Sequence, residues 1–388
     1  MSGFGIYVHW PFCTAKCPYC DFNSHVRSRI DENGWIDAIV RELEWVAGLQ
    51  GAERPIVETV FFGGGTPSLT EPSTVEAIII AALSHWAPEP QLEITLEANP
   101  NSVEAERFAD LASAGVNRLS LGLQSFDDRA LHFLGRAHSS REGFHALEVA
   151  QKNFRRTSFD LIYALPGDSE ASWSATLAQA LALGTSHLSL YQLTIEPGTR
   201  FATQVTKGEL EPLDSDIAAT LYELTDALTS AAGMPAYEIS NHARRGQESR
   251  HNLTYWRYGD YAGVGPGAHG RRRGMRTMRH RKPENFLSAL ARDGHGIGEE
   301  APLSATEAAD EALVMGLRLR EGVDVGALAK RFGLQSIVDW DRVERLAASG
   351  HLECDGTLVR LTAAGRLLLD RILGEIAAVQ PKALAVAS

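Results

Sequence analysis

Three cysteines fall within eight residues, in the run Cys13-Thr-Ala-Lys-Cys17-Pro-Tyr-Cys20. Thiolates are the usual ligands of iron–sulfur clusters, and a four-iron cubane needs one ligand per iron. Three sulfurs therefore leave one iron open to something that is not the protein. The rival metal is a structural zinc, with His25 as a fourth ligand. Such sites usually pair two separate Cys-x2-Cys knuckles, and no second knuckle follows here. A redox pair of Cys17 and Cys20 leaves Cys13 without a role. The one remaining cysteine, Cys354, reads as a small apolar residue.

A second run, Gly63-Gly64-Gly65-Thr66-Pro67, would let a ligand approach the backbone closely because no Cβ stands in the way. Alone, such a triplet marks only a tight turn. Beside an open iron it has a specific use. The amino and carboxylate groups of a methionine moiety would chelate the iron, the backbone of Gly64 and Gly65 would hold the ammonium, and Glu97 would accept hydrogen bonds from a ribose. The pairing makes S-adenosylmethionine (SAM) the leading ligand. It also disfavours an ordinary iron–sulfur electron carrier, which needs neither feature.

These residues require elements that bring them together. From Gly5 to about Glu196 the sequence alternates short β-branched or apolar runs with helical stretches, the mark of βα units and a parallel sheet. Six runs are placed: Ile6–His9, Thr59–Phe62, Leu92–Glu97, Arg118–Leu123, Ser158–Ile162 and Leu188–Thr194. Helical patterns such as Trp35–Gly48, Val103–Ala114 and Ser172–Leu183 lie between them. Periodicity alone does not decide between a barrel and an open sheet. The first run is followed by the cysteines and the second by the glycines. The third ends at Glu97 and the fourth at Gln124, while the fifth carries Asp160 and the sixth Tyr191 and Gln192. In a β/α barrel the C-terminal strand ends build the site, so these groups would meet at one mouth.

Residues 200–300 form a less regular stretch rich in Gly, Arg and aromatics. From Leu303 the pattern changes to three helices near Glu307–Leu319, Val325–Arg331 and Ile337–Ser349. A hairpin over Leu352–Leu361 follows, with Asp355-Gly356 at its turn. That order predicts a small winged-helix-like domain. Leu303–Glu375 holds nine Lys or Arg against twelve Asp or Glu, the wrong sign for a DNA reader, so the domain is expected to be a cover or partner module.

The 388 residues are enough for one large domain and one or two smaller ones, and the formal net charge of -12 disfavours nucleic acid as a partner. The N-terminus lacks a basic region followed by an apolar one, and no apolar run reaches the roughly 20 residues of a membrane helix. No transmembrane segment is expected. Four cysteines, three of them clustered, fit a reducing, cytoplasmic setting rather than a disulfide framework.

Taken together, the motifs resemble the radical SAM superfamily, whose signature is Cys-x3-Cys-x2-Cys on a partial (β/α)6 TIM-like barrel. More narrowly, several runs are similar to the oxygen-independent coproporphyrinogen III oxidase-like group. They are Tyr7 to Cys13, Cys17-Pro-Tyr-Cys20-Asp-Phe22, Gly63–Pro67, Gly122-Leu-Gln124-Ser-Phe and Asp160 to Gly167. The porphyrinogen-oxidising (HemN-type) members carry a fourth cysteine where Phe22 stands, and a long N-terminal extension where only twelve residues precede Cys13. Both departures point to the heme chaperone (HemW-type) branch, which binds a 4Fe-4S cluster, SAM and heme and delivers heme to acceptor proteins. The alternative is an oxygen-independent coproporphyrinogen III oxidase in porphyrin biosynthesis.

The resemblance implies SAM contacts at Tyr7, Phe22, Gly64, Gly65, Thr66, Glu97, Gln124, Arg136 and Asp160. It implies a heme ligand at His251, within His251-Asn252-Leu253-Thr254-Tyr255-Trp256. A lone histidine is more often a hydrogen-bonded structural residue, and Tyr255 and Trp256 fit either a porphyrin face or the core. The expected division is a radical SAM barrel over 1–200, a barrel-completing, heme-associated region over 201–300, a winged-helix-like α+β domain over 301–375 and a loose tail over 376–388. Seven Arg or Lys lie between Arg271 and Lys282, on a hairpin turning near Gly274; they would be solvated or would pair with propionates or an anionic partner.

Overall fold

The computed structural model describes residues 3–27, 29–51 and 54–378, so most of the Ala-rich tail lies outside the described residues. Six strands, β1 (Phe4–Trp10), β2 (Val57–Gly64), β3 (Pro88–Ala98), β4 (Arg118–Gln124), β5 (Arg156–Tyr163) and β6 (His187–Gln192), pair in parallel in chain order. Parallel neighbours need crossovers, and helices such as Glu32–Gln50, Pro72–His85, Ser140–Asn153 and Glu170–Ala182 supply them. Ser139 and Ser169 start two of these helices with capping boxes that satisfy otherwise orphaned backbone amides.

Side chains alternate across each strand. On β1, Phe4, Ile6, Val8 and Trp10 belong to the core under the helices, which leaves Gly5, Tyr7 and His9 for the inner face. The expected helix over Val103–Ala114 is divided into Ser102–Glu106 and Phe108–Ser113. Arg107 ends the first by turning its amide to Glu104 and takes Leu69 O and Glu71 with its guanidinium.

The stretch 201–300 is more regular than its sequence suggests. It holds the helix Ser215–Ala231 and five short strands: β7 (Asn241–Ala243), β8 (Tyr261–Val264), β9 (His269–Arg272), β10 (Met275–Arg279) and β11 (Ile297–Pro302). β8 joins β1 in parallel on the side away from β2, and β9–β11 extend that edge as an antiparallel meander. β7 lies antiparallel to β6 at the other edge. Because both edges end in antiparallel strands that do not pair with each other, the sheet of eleven strands is a partial barrel. The β9–β10 hairpin turns on Arg273 and Gly274, both at positive φ, which suits a two-residue turn.

A separate core forms around Leu313, Leu317, Val343, Val359 and Ile376. Helices Ala305–Leu317, Val325–Phe332 and Trp340–Ala348 pack there on three strands, β12 (Val323–Asp324), β13 (Leu352–Asp355) and β14 (Leu358–Leu361), with β14 central. This is the winged-helix order of elements. Among the described residues no helix is long and apolar enough to cross a membrane.

Candidate functional site

The cysteines sit on a loop tied at both ends. Phe12–Cys13 pairs with His25–Val26 as a short parallel bridge, and His25 N donates to Pro11 O at 2.7 Å. Phe12 packs edge-on against Trp10 and Trp35, and Trp35 stacks on Phe286, which fixes the loop's start to the core. Its return is held by Asn23, which donates to Pro266 O (2.9 Å) and Arg281 O (2.8 Å) while its own carbonyl meets His9 Nε2.

The end of β2 is zipped to this loop. Gly65 N donates to Trp10 O at 2.7 Å and Thr66 N to Phe12 O at 2.8 Å. A Cβ on Gly65 would lie 2.5 Å from Phe12 O, and one on Gly64, whose φ is +107°, would lie 2.5 Å from the His9 ring. Glycine is therefore required at both positions by close approach, not merely by a bend.

A cavity of about 190 Å3 opens between these two segments. Cys13, Cys17, Cys20, Phe22, Gly64, Gly65, Thr66, Glu97, Gln124, Arg136 and Asp160 all line it. Five different elements thus deliver their sequence-predicted residues to one place, as converging strand ends do. Tyr7 lies deeper on the inner face of β1, its hydroxyl 2.9 Å from His9 Nδ1, and its ring is close enough to Glu97 to feel that charge.

One side chain missing from the sequence-based reading organises the cavity wall. Asn99, the first residue after β3, donates through Nδ2 to Thr66 Oγ1 (3.1 Å) and accepts from Arg136 Nη2 (2.5 Å). Thr66 Oγ1 in turn donates to Cys13 Sγ at 3.3 Å, and Arg136 Nη1 lies 3.6 Å from Cys17 Sγ. Asn99 itself is held by its backbone amide on the buried carboxylate of Glu104, which Ser68 also reaches. Asn99 belongs to no motif; its place beyond a strand end was the only available signal.

Burial is the main electrostatic force here. It raises the Glu97 carboxyl to about 8, with Asp160 adding to the shift and the Gly64 amide opposing it. It raises Asp160 to about 6 against hydrogen bonds from Ser189 and Ser120. Burial also lifts the thiols of Cys13 and Cys20.

The donor set fits a cluster better than a single ion. All three thiols are free, and they are not gathered on one ion-sized point as a tetrahedral zinc requires. A cubane gives each thiolate its own iron and so tolerates wider spacing. Gln124 Oε1 and Arg136 Nε are buried in the wall without a hydrogen-bond partner among the described residues, as groups awaiting a polar ligand would be. Gln124 moreover holds a positive φ of 65°, a strained placement for a non-glycine residue.

His251 lies elsewhere. Helix Arg250–Trp256 seals the barrel at the start of the strands, where His251 packs beside Gly5 and stacks on Phe61. It is only 1% exposed; Nδ1 pairs with Thr59 Oγ1 at 2.8 Å and Nε2 with the Tyr255 hydroxyl at 2.7 Å. Axial ligation would require one of these bonds to be given up, and burial already holds the ring neutral by lowering its pKa to about 3. Asn252 donates to the Tyr237 hydroxyl, and Trp256 faces Arg318 of the C-terminal domain. The basic hairpin is likewise partly absorbed: Arg271 bonds Gly259 O over the Tyr258 ring, Arg272 pairs with Glu300, and Arg279 is buried on Glu42.

A cysteine tripod facing a glycine turn at the mouth of a partial parallel barrel is the arrangement of the radical SAM class. Residues 7–180 match the family model described as Radical SAM superfamily, and residues 303–368 match HemN C-terminal domain. The chain is 37% identical to the heme chaperone HemW of Mycobacterium tuberculosis, over 95% of this chain and 94% of that protein. It is 36% identical to HemW of Escherichia coli, over 95% and 96%. It is 40% identical to the mitochondrial radical S-adenosyl methionine domain-containing protein 1 of Bos taurus, over 95% and 86%. The crystallised coproporphyrinogen III oxidase HemN of Escherichia coli shares the fold at a TM-score of 0.80 and 21% identity, covering 96% of this chain and 89% of that one. The chain belongs to the heme chaperone (HemW-type) branch of the radical SAM superfamily. Membership in that superfamily implies a 4Fe-4S cluster and SAM.

Proposed function

We propose that this chain is a heme chaperone that carries a 4Fe-4S cluster on Cys13, Cys17 and Cys20, binds SAM beside it, and passes heme to acceptor proteins. The observation that carries the reading is the single cavity shared by the three thiols, the Gly64–Thr66 turn and Glu97. When bound, the cluster and SAM supply one-electron reduction of a sulfonium. The chain's own groups bind and orient. The Gly64 and Gly65 backbone would take the ammonium of the methionine moiety, Glu97 the ribose, and Gln124, Arg136 and Asp160 the rest of the wall. Thr66 and Arg136 would hold donors on two of the thiolates, and Phe22, 51% exposed, would close the mouth with an apolar face where the oxidase type has a thiol.

Heme binding is supported by the heme chaperone relatives of Mycobacterium tuberculosis and Escherichia coli, with His251 as the candidate axial ligand once Tyr255 or Thr59 releases it. A cytoplasmic setting suits a chain whose thiols stay unpaired.

The test is anaerobic reconstitution followed by two titrations, SAM by calorimetry and hemin by Soret absorbance. Cluster absorbance, SAM binding and saturable hemin binding are expected, with no turnover of coproporphyrinogen III under reductant. Steady formation of protoporphyrinogen would assign the oxidase activity instead.

A further inference from the structure

The hydrogen bonds through Asn99 can run in one direction only. A guanidinium has donors and no acceptor, so the 2.5 Å contact with Arg136 Nη2 puts the amide oxygen of Asn99 on that side. The amide nitrogen is then turned to Thr66, and its N–H donates to Thr66 Oγ1 at 3.1 Å. With its oxygen accepting from Asn99, the Thr66 hydroxyl keeps its own proton for Cys13 Sγ, 3.3 Å away. The polarity of the chain from Arg136 to the sulfur is therefore set by which way one amide faces.

The backbone around the relay is tied so that its members keep their places. Glu104, 1% exposed, holds both sides on one carboxylate: Oε2 accepts the Asn99 amide at 2.8 Å and also takes the hydroxyl of Ser68, two residues beyond Thr66. Asn101 Nδ2 donates to the other oxygen, Oε1, at 2.6 Å. Arg136 is fixed in turn by Gly122 O at 3.1 Å, and Thr66, 5% exposed, by its own amide on Phe12 O. Asn99, Thr66, Arg136 and Cys13 all line the one cavity, so the relay runs along its wall to a thiolate.

Hydrogen bonds to ligating sulfurs are among the means by which a protein sets a cluster's potential. One-electron reduction of a bound cubane adds negative charge and no atom, and part of that charge falls on the sulfurs. A proton aimed at Cys13 Sγ therefore favours the reduced form and raises the potential. We infer that Asn99 is a positioning residue that aims the Thr66 hydroxyl at Cys13 and thereby sets the reduction potential of the cluster. An aspartate of the same shape would break the relay: it has acceptors and no donor, so the Thr66 proton would turn to it and leave the sulfur. The inference rests on the cluster reading and adds to it a residue that tunes the cluster through a neighbour.

The test is a dithionite titration of the SAM-free, anaerobically reconstituted full-length chain, with the reduced cluster followed by electron paramagnetic resonance. Thr66→Val loses the hydroxyl and Asn99→Asp redirects it, so both should lower the midpoint potential at wild-type iron and sulfide content, while Thr66→Ser keeps the wild-type value. Asn99→Asp also adds a charge, which acts whether or not residue 66 carries a hydroxyl. In the Thr66→Val background its effect should therefore fall to less than about half of that in wild type. Equal effects in the two backgrounds, a wild-type potential in Thr66→Val, or cluster loss confined to Asn99→Asp would each overturn the relay and leave the cluster reading standing. Failure of wild type to take up any cluster would overturn the cluster reading and the relay with it.

Discussion

The assignment of Glu97 to a ribose makes a quantitative statement about pH. Burial and the neighbouring Asp160 raise this carboxyl from an ordinary 4.5 to about 8. At pH 7 it is then about 9% ionised and at pH 8 about half ionised, from the Henderson relation with that value. A ribose diol donates its protons, and a carboxylate accepts them better than a neutral acid does. If SAM selects the ionised form, its affinity rises about fivefold between pH 7 and pH 8, with release of nearly one proton at pH 7. Calorimetry in two buffers of different ionisation enthalpy measures both quantities. SAM has its own amino group, so Glu97→Gln must be run in parallel; the ratio of wild-type to variant affinity isolates this carboxyl. A ratio that stays flat from pH 6.5 to 8.5 refutes the assignment. In the SAM-free protein the sign is opposite: a raised folded value stabilises the protonated form, so this contribution is complete below about 4.5 and fades as pH climbs through about 8.

Two further outcomes follow from the geometry. Gly65→Ala places a methyl 2.5 Å from Phe12 O, so the variant should keep its far-ultraviolet spectrum but purify with much less iron and sulfide per chain; a full cluster load would show that the cysteine loop does not depend on this contact. Arg279→Met leaves the fully buried Glu42 with only the Gly296 amide among the described residues and should cost about 3–5 kcal/mol in urea unfolding, most of it regained when Glu42 is also made Met; equal loss in the single and double variants would be the refuting result.

Much of this could be read from local pattern because the residues concerned answer to local rules. The six parallel strands announced themselves by β-branched or apolar runs, and the ends of the first five named residues that line the cavity, from the cysteines to Asp160, whereas Tyr191 and Gln192 at the sixth do not line it and Gln192 instead bonds Ala218 O. The wing hairpin followed from Asp355-Gly356. What stayed hidden was built by pairing across long sequence separation. Tyr261–Val264 is four residues long, too short for a period to register, yet it is the strand that flanks β1. Asn99 is an asparagine after a strand like many others, and only the fold places Thr66 and Arg136 on either side of it. That Glu93 pairs with Arg156 depends on register, which composition does not carry.

The short helix that closes the barrel has a consequence for how the two halves of the chain communicate. On its inner side His251 grips Thr59; on its outer side Trp256 supports Arg318, Arg257 clasps Glu321, and the adjoining Tyr258 bonds Glu311. It acts as a keystone, wedged between an arch and the wall behind it. Cutting the imidazole loose from its threonine, as a substitution at Thr59 would, therefore disturbs a stone that the outer domain also leans on.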